Sequence, residues 1–529
     1  MADVMRCLEK LNRRSPLTPE DTSVLTGPKA AGVVKAAVLA RLVHRSRTVP
    51  ETRLVRELAA TLPDVAATLL SAFPEACTGH VSAVLPPHPL VVRVLRADWP
   101  DSSSRRHDLG AFLQDFVHET LSPMHVAAWL GTVVERGLTP ECLRDLTHAM
   151  RDSGRVYDYR SSPKLQGRKL VRRYPTGGLS EKTALVLPSV LLKASTQYPV
   201  ASNFLVARSL GFTGGTWDKL SAIPGFRFPS PGEESIDAME QCGVAMTVTH
   251  GDLNPADRKL YQLRSVTGTI ESHELIVSSI ASKQLAVPAD HLLLDVRYGD
   301  GAFLRSLDEA RRCADGMLDV ITAGGVPCSA HLTDTPQPNG MAIGNALEVA
   351  EAIATMGGGS LGPWDPRALG EQRELVLTFY GLLMARAFGT ESIDPWVDEA
   401  RGWFESGEIL RAFETLLSAH AVKRATIDAI TQNPLMALGL ARDGAPVAAE
   451  QSGRVMTIDQ RRLGHLVNFE LGAGGNEYGA AFCARTGVRL NCRIGDQVEA
   501  GQPLCWVFGD PSSTLSEIMA SLKECFVVA

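Results

Sequence analysis

The chain has 529 residues, 45% of them hydrophobic and 21% charged, with a formal net charge of −6 at pH 7. That is the composition of a globular protein of about three or four domains. The mildly acidic balance without a long basic run excludes nucleic acid as the principal partner, although a few local cations suffice for a small anionic substrate.

The N-terminal "MADVMRCLEKLNRR" lacks the apolar core of a signal peptide. No run of about 18 apolar residues follows anywhere, so no membrane span is expected. Ten Cys are scattered without a C-x-x-C pair. This spacing argues against a zinc cage or redox dithiol and fits reduced thiols in a cytoplasmic protein. Residues 28–75 read as helices, with "AAGVVKAAVLARLV" and "ETRLVRELAATL" at helical apolar spacing. The stretch "AVLPPHPLVVRVLRADWPDSSSRRHD" carries four Pro and a Ser-Arg run, and a linker is expected near 85–108. Residues 1–107 are thus an N-terminal extension, expected to be separable. A second helical region follows, in which Ser122 and Thr139 stand where N-caps should.

From about 168 strands alternate with helices. "HLLLDVRYG" and "PCSAHLTDT" read as strands, and "LIVSSIASKQLA" and "LDEARRCADGMLDVITAGG" as helices, the latter with a Gly C-cap. Such alternation favours an α/β layer architecture. After about 445 short strands with Gly turns, "SGRVMTID", "AAFCARTGVRL" and "GDQVEAGQPLCWVF", predict a small β-rich part. "FTGGTWDKLSAIPGF" (212–226) has two readings on its own. It is either a strand end, a Gly turn and a helix stopped by Pro-Gly, or an anion-binding turn built by Gly214, Gly215 and Thr216.

Taken together, "RRYPTGGLSEKTALVLPSV" (172–190), "ARSLGFTGGTWDKLSAIPGF" (207–226), "NPADRKLYQLRSVTGTIESHELIVSSIASKQLA" (254–286), "LLLDVRYGDGAFLRSLDEARRCADGM" (292–317), "TDTPQPNGMAIGNALEVAEAI" (333–353) and the C-terminal "IGDQVEAGQPL" resemble the thymidine and pyrimidine-nucleoside phosphorylase family. The resemblance spans roughly residues 108 to 515. It implies a small all-α domain (108–170, completed by 254–286), a large mixed-sheet α/β domain (171–253 and 287–444) and a β-rich C-terminal domain (445–529). It also implies a homodimer, an active site in the cleft between the α and α/β domains, and no cofactor beyond phosphate as co-substrate. The implied reaction is reversible phosphorolysis of a thymidine- or uridine-type nucleoside to base and sugar 1-phosphate.

By this resemblance Tyr261, Arg264, Ser279 and Lys283 face the pyrimidine. Ser279 and Lys283, four apart, share one helix face, Arg264 brings a planar fork and Lys283 a point charge. Arg264, Lys283 and Tyr174 are the implied catalytic residues. The phosphate half departs from the family's Lys-His-Ser-Thr-Gly-Gly. Here Arg173, Tyr174, Pro175, Thr176, Gly177 and Gly178 stand in those places, and a second family Ser falls on Ala184. Ser202 aligns with a third, followed by about four extra residues before Arg208, and Thr216 is retained. Arg173, Gly177, Gly178, Ser202 and Thr216 are therefore the expected phosphate ligands, and the site is expected to bind phosphate more weakly than the family pattern does. Glu348 matches a position of a monovalent-cation site. The departures leave room for another acceptor, through hydrolysis or modified-nucleoside biosynthesis, and for a non-catalytic pyrimidine-binding protein.

Overall fold

The structure, a computed structural model, describes residues 2–45, 47–77, 86–249, 251–357, 362–440, 444–474, 483–509 and 515–529. Part of the expected strand "AAFCARTGVRL" (480–482) lies outside the described residues. The chain forms two compact units, residues 1–156 with 250–286 and 319–324, and residues 157–249 with 287–318 and 325–529.

The first unit is helical. At its centre the helices Gly32–Val43 and Pro123–Arg136 cross closely. The first is nearly all Ala, Val and Leu, and nine of its twelve residues are buried. Close approach requires Gly131, since a Cβ there would sit 2.5 Å from the Ala37 carbonyl oxygen. Arg41, only 1% exposed, is satisfied by Glu135 (2.9 Å) and Asn12 (2.8 Å). Phe112 and Trp129 pack edge to face at 5.2 Å. One hydrophobic core runs from Val4 through Val38, Leu69, Leu95 and Phe112 to Leu260 and Leu275. Ser122 and Thr139 cap their helices as the sequence predicts, accepting from the amides of Met124 and Cys142.

Two expectations give way here. The stretch read as a linker holds the helices Pro89–Arg96 and Ser102–Val117. Pro89 stands in the first turn, where its missing N–H costs nothing, and Val91, Val94 and Leu95 point into the core. Asp108 ties the two helices, accepting from Arg93 (2.8 and 2.9 Å) and the Trp99 indole (3.1 Å). The N-terminal helices are therefore not a separate body, because they share their core with those that follow.

The second unit is built on a five-stranded sheet in the order β3-β2-β1-β4-β5. Its strands are β1 (Lys169–Pro175), β2 (Val200–Val206), β3 (Val244–Val248), β4 (His291–Tyr298) and β5 (Cys328–Asp334). The resemblance implies a mixed sheet, yet all four pairings are parallel. Buried strands of a parallel sheet read as continuous apolar runs, and every residue of β2 is buried. Helices Thr183–Ser195, Glu233–Cys242 and Leu307–Ala323 occupy the crossovers. From β1 the chain winds outward to β2 and β3, then returns to β4 on the other side. The topological switch point thus lies between β1 and β4, and ligands of such sheets bind outside the carboxyl ends of the strands there.

The remaining strands are short and antiparallel. β6 (Ala342–Ile343), β7 (Ala445–Ala448), β9 (Gly487–Leu490) and β11 (Pro503–Phe508) form one sheet, and β8 (Gly453–Ile458), β10 (Gln497–Val498) and β12 (Phe526–Val528) another. This is the β-rich part that the sequence predicts. No helix among the described residues is long and apolar enough to cross a membrane.

Candidate active site

The switch point carries the first glycine turn. β1 ends at Pro175, paired with Asp295 of β4. Thr176 then donates its amide to the Asp295 carbonyl (2.9 Å) and accepts the Arg297 amide on its hydroxyl (2.9 Å). Gly177 turns at φ +95°, a conformation that favours glycine. Gly178 bridges to Ala302, and Leu179 donates to the Gly301 carbonyl (2.7 Å). Tyr174, Pro175, Thr176 and Gly177 are half-buried, and this is the accessible part of the turn.

Arg173 is not part of it, which corrects the expected phosphate ligand. Its side chain is 0% exposed and pairs with Asp295 and with Glu181 (3.2 Å), over the ring of Phe379. Arg297 joins the same cluster, with Nε 2.7 Å from Asp295 and Nη2 3.4 Å from Glu181. Thr183 and Thr333 donate to the two carboxylates. Burial pushes the carboxyls of Glu181 and Asp295 up, but the two guanidinium groups outweigh it and hold both below the usual carboxylate range. Two cations and two anions balance, the condition under which buried charge is tolerated. The cluster is a foundation that clamps the turn to β4.

The second glycine turn follows β2. Gly215 caps the short helix Thr216–Ser221, and a Cβ there would lie 2.3 Å from the Arg208 carbonyl carbon, so only glycine lets the loop close. Thr216 is half-exposed. The exposed Arg208 lays its guanidinium over the Trp217 ring at 4.3 Å. Asp218 accepts the Ser209 amide (2.6 Å), and burial pushes its carboxyl up to about 6, with Arg208 and Lys219 acting the other way. Ser202, the expected third ligand, is corrected as well. It sits inside β2, opposite Val244 and 0% exposed; its amide donates to the Gly243 carbonyl (2.9 Å), and its hydroxyl has no hydrogen-bond partner. Val206 is the last residue of that strand, so the residues that follow Ser202 lie in β2 and Ser202 stands inside the strand, away from the loop. Glu348 pairs with the buried Lys219 (2.8 Å), which also donates to the Glu181 carbonyl (2.6 Å). An ammonium thus stands where a monovalent cation was expected to meet Glu348.

The residues expected to face the pyrimidine lie in the first unit. Helix Pro255–Thr267 carries Tyr261 and Arg264, and helix His273–Ala286 carries Ser279 and Lys283. Lys283 donates to Asp257 (2.6 Å) and to the Ser279 hydroxyl (2.9 Å), with the Tyr261 ring 5.7 Å away. The spacing of four does bring Ser279 and Lys283 together. Arg264 differs from expectation. Its fork is turned inward, donating to the carbonyls of Thr269 (3.3 Å), Ile270 (2.7 Å) and Leu275 (2.8 Å). Burial pulls its guanidinium down to about 10, against Asp257 and Tyr261, which leaves it charged at neutral pH.

Sequence reasoning passed over Asp295, Arg297, Glu181, Lys219, Asp257 and Arg208. The signal for the first two was present, because charged residues inside the otherwise apolar "HLLLDVRYG" have no place in a buried strand unless paired. Comparison with known proteins bears on what this arrangement is. Residues 168–410 match the family model described as the a/b domain of the glycosyl transferase family, and residues 454–529 the pyrimidine nucleoside phosphorylase C-terminal domain. The chain is 32% identical over 422 residues to the thymidine phosphorylase of Agrobacterium fabrum, covering 80% of this chain and 92% of that protein. It is 34% identical over 385 residues to the pyrimidine-nucleoside phosphorylase of Bacillus subtilis, covering 73% and 84%. Among solved structures, anthranilate phosphoribosyltransferase from Thermus thermophilus aligns at 18% identity and a TM-score of 0.46, over 63% of this chain and all of that one.

Proposed function

The chain belongs to the thymidine and pyrimidine-nucleoside phosphorylase family, and from that membership we infer that it is a pentosyltransferase that cleaves pyrimidine nucleosides with phosphate. The observation that carries this reading is the likeness along 92% of a thymidine phosphorylase, together with a C-terminal domain characteristic of the family. In the reaction a phosphate oxygen bonds to the anomeric carbon while the bond from that carbon to the pyrimidine nitrogen breaks. The electron pair leaves with the base. Lys283 supplies the positive charge that steadies the departing pyrimidine, oriented by Asp257 and Ser279, with Tyr261 beside it. Arg264 supports this group from within by closing the turn between the two helices.

For the anion, the two glycine turns, the Thr216 hydroxyl and the exposed Arg208, whose guanidinium also lies over Trp217, form the proposed binding groups. Tyr174, beside the turn, completes this half. Phosphate is the co-substrate and no organic cofactor takes part. The enzyme works as a cytoplasmic homodimer, as the family resemblance implies. Incubation with thymidine, deoxyuridine and uridine, with and without phosphate, tests the reading by chromatography of the free base. Base should appear only with phosphate. Release without phosphate, or none under any condition, overturns it.

A further inference from the structure

Directly after the first glycine turn lies a buried charge that the proposed chemistry does not use. The Lys182 side chain is 0% exposed. Its ammonium faces the carbonyl oxygens of Ser180 (3.1 Å) and Ala342 (3.1 Å), Oε2 of Glu351 (3.0 Å) and the Ser180 hydroxyl. Three of these oxygens are themselves held. The Ser180 hydroxyl donates to the carbonyls of Ala342 (2.6 Å) and Asn339 (3.1 Å). Glu351 accepts the amides of Met341 (2.7 Å) and Ala342 (2.9 Å). Ser180 keeps a left-handed backbone at φ +61°, which is uncommon for a residue with a side chain. That turn brings its carbonyl and hydroxyl to the same point.

The oxygens come from the end of the glycine turn, from β6, which pairs with β9, and from the helix Asn345–Gly357. Two carbonyls, a hydroxyl and one carboxylate make a cage of charge −1. Its distances near 3 Å are too long for a small divalent ion, which needs about 2.0–2.6 Å. They suit a monovalent cation, and the lysine ammonium is a compact monovalent point charge. We propose that Lys182 is a tethered monovalent cation, a positioning residue that fastens the Gly177–Gly178 turn to β6 and Glu351 so that no free alkali-metal ion is needed. Its catalytic consequence rests on the phosphorolysis reading, whereas its structural consequence does not.

The test compares the full chain with Lys182→Ala and Lys182→Met in potassium and in tetramethylammonium, an ion too large for the cage. Thermal unfolding and phosphate-dependent base release are both read. The unmodified protein should show the same melting temperature and kcat/KM in either salt. Lys182→Ala should lose stability and roughly ten- to a hundredfold in kcat/KM in tetramethylammonium, and recover both in potassium. Lys182→Met, which fills the space without charge, should lose both and recover neither. A potassium requirement in the unmodified protein overturns the proposal, as does Lys182→Ala that fails to fold or to recover in potassium. If the unmodified protein releases no base, the phosphorolysis reading fails, while recovery of the melting temperature still decides the cage.

Discussion

At the scale of single residues, the same side-chain type does opposite work in different surroundings. Lys283 is presented by a helix face to the side chains of Asp257 and Ser279, whereas Arg264 spends its fork on three backbone carbonyls. Truncating them should therefore separate binding from folding. Arg264→Ala removes three bonds to backbone carbonyls, each bond to a charged group contributing about 1.5–3 kcal/mol. Its main effect should be a lowered melting temperature. Lys283→Ala leaves Asp257 as a buried unpaired carboxylate and should cost about 3–5 kcal/mol. Lys283→Met with Asp257→Asn removes both charges and should restore much of that stability while pyrimidine binding, read by calorimetry, stays lost. Asp218 gives a pH signature. Its folded carboxyl titrates at about 6, above the ordinary 3.8. Ionising it therefore costs stability progressively as pH rises from about 4 to about 6, a total of about 3 kcal/mol above that window. Glu181 and Asp295 act in the opposite sense, since their folded values are depressed. They stabilise above their ordinary range, and that contribution is lost as pH falls below it through the depressed folded values. The difference between the unmodified protein and Asp218→Asn isolates the first effect. It should be flat above pH 6 and should change between pH 4 and 6, as read by urea unfolding at each pH. A difference that is flat throughout refutes the raised value.

At the scale of elements, two glycines in neighbouring helices make a contrast. Gly110, in helix Ser102–Val117, has nothing within 4 Å of where a Cβ would stand, whereas at Gly131 the Ala37 carbonyl is 2.5 Å away. Gly110→Ala should stabilise by about 0.5–1 kcal/mol through helix propensity alone. Gly131→Ala should destabilise by about 1–3 kcal/mol, because backbone rather than a mobile side chain must move. Denaturant unfolding of the two variants checks both signs. The elements themselves were legible where one signal dominated. The N-caps Ser122 and Thr139, the strand "HLLLDVRYG" and the β-rich end could each be read from local pattern. Residues 85–108 were misread because Pro density outweighed a short apolar helical period. Pro89 there starts a helix instead of breaking one. The site was half legible. Spacing on one helix places Ser279 with Lys283. No local pattern says that Arg173 finds Asp295 across β1 and β4, or that Lys182, in an ordinary-looking helix start, finds the carbonyl of Ala342. Those partners are set by sheet order, which is a long-range property.

At the scale of the molecule, the question is what the first hundred residues are for. They contain no residue placed in the proposed chemistry, yet they are not an appendage. Helix Gly32–Val43 covers Gly131 and supplies Arg41 to the buried Glu135. Two capping boxes, Thr18 with Asp21 and Thr48 with Glu51, fix the helices that flank it. Val91, Val94 and Leu95 enter the same core as Phe112 and Leu113. Removing residues 1–107 would uncover Phe112, Leu113, Val126 and Leu130, now 0% exposed. Uncovering a Leu- or Phe-sized side chain costs about 1.5–3 kcal/mol each, and net stability is only about 5–15 kcal/mol. The truncated chain should therefore lose its helical unit, visible as reduced far-ultraviolet ellipticity and rapid proteolysis within 108–156 and 254–286. Pyrimidine binding through Lys283 should vanish with it, since Asp257, Ser279 and Tyr261 stand on helices whose core is shared with the deleted ones. Substituting Arg41→Met and Glu135→Leu together in the full chain makes the complementary test. This pair replaces charge by apolar volume without uncovering the core, so fold and binding should survive. A soluble truncated chain that unfolds cooperatively and still binds thymidine would show that the shared core is dispensable, and the N-terminal helices would then be a separable module after all.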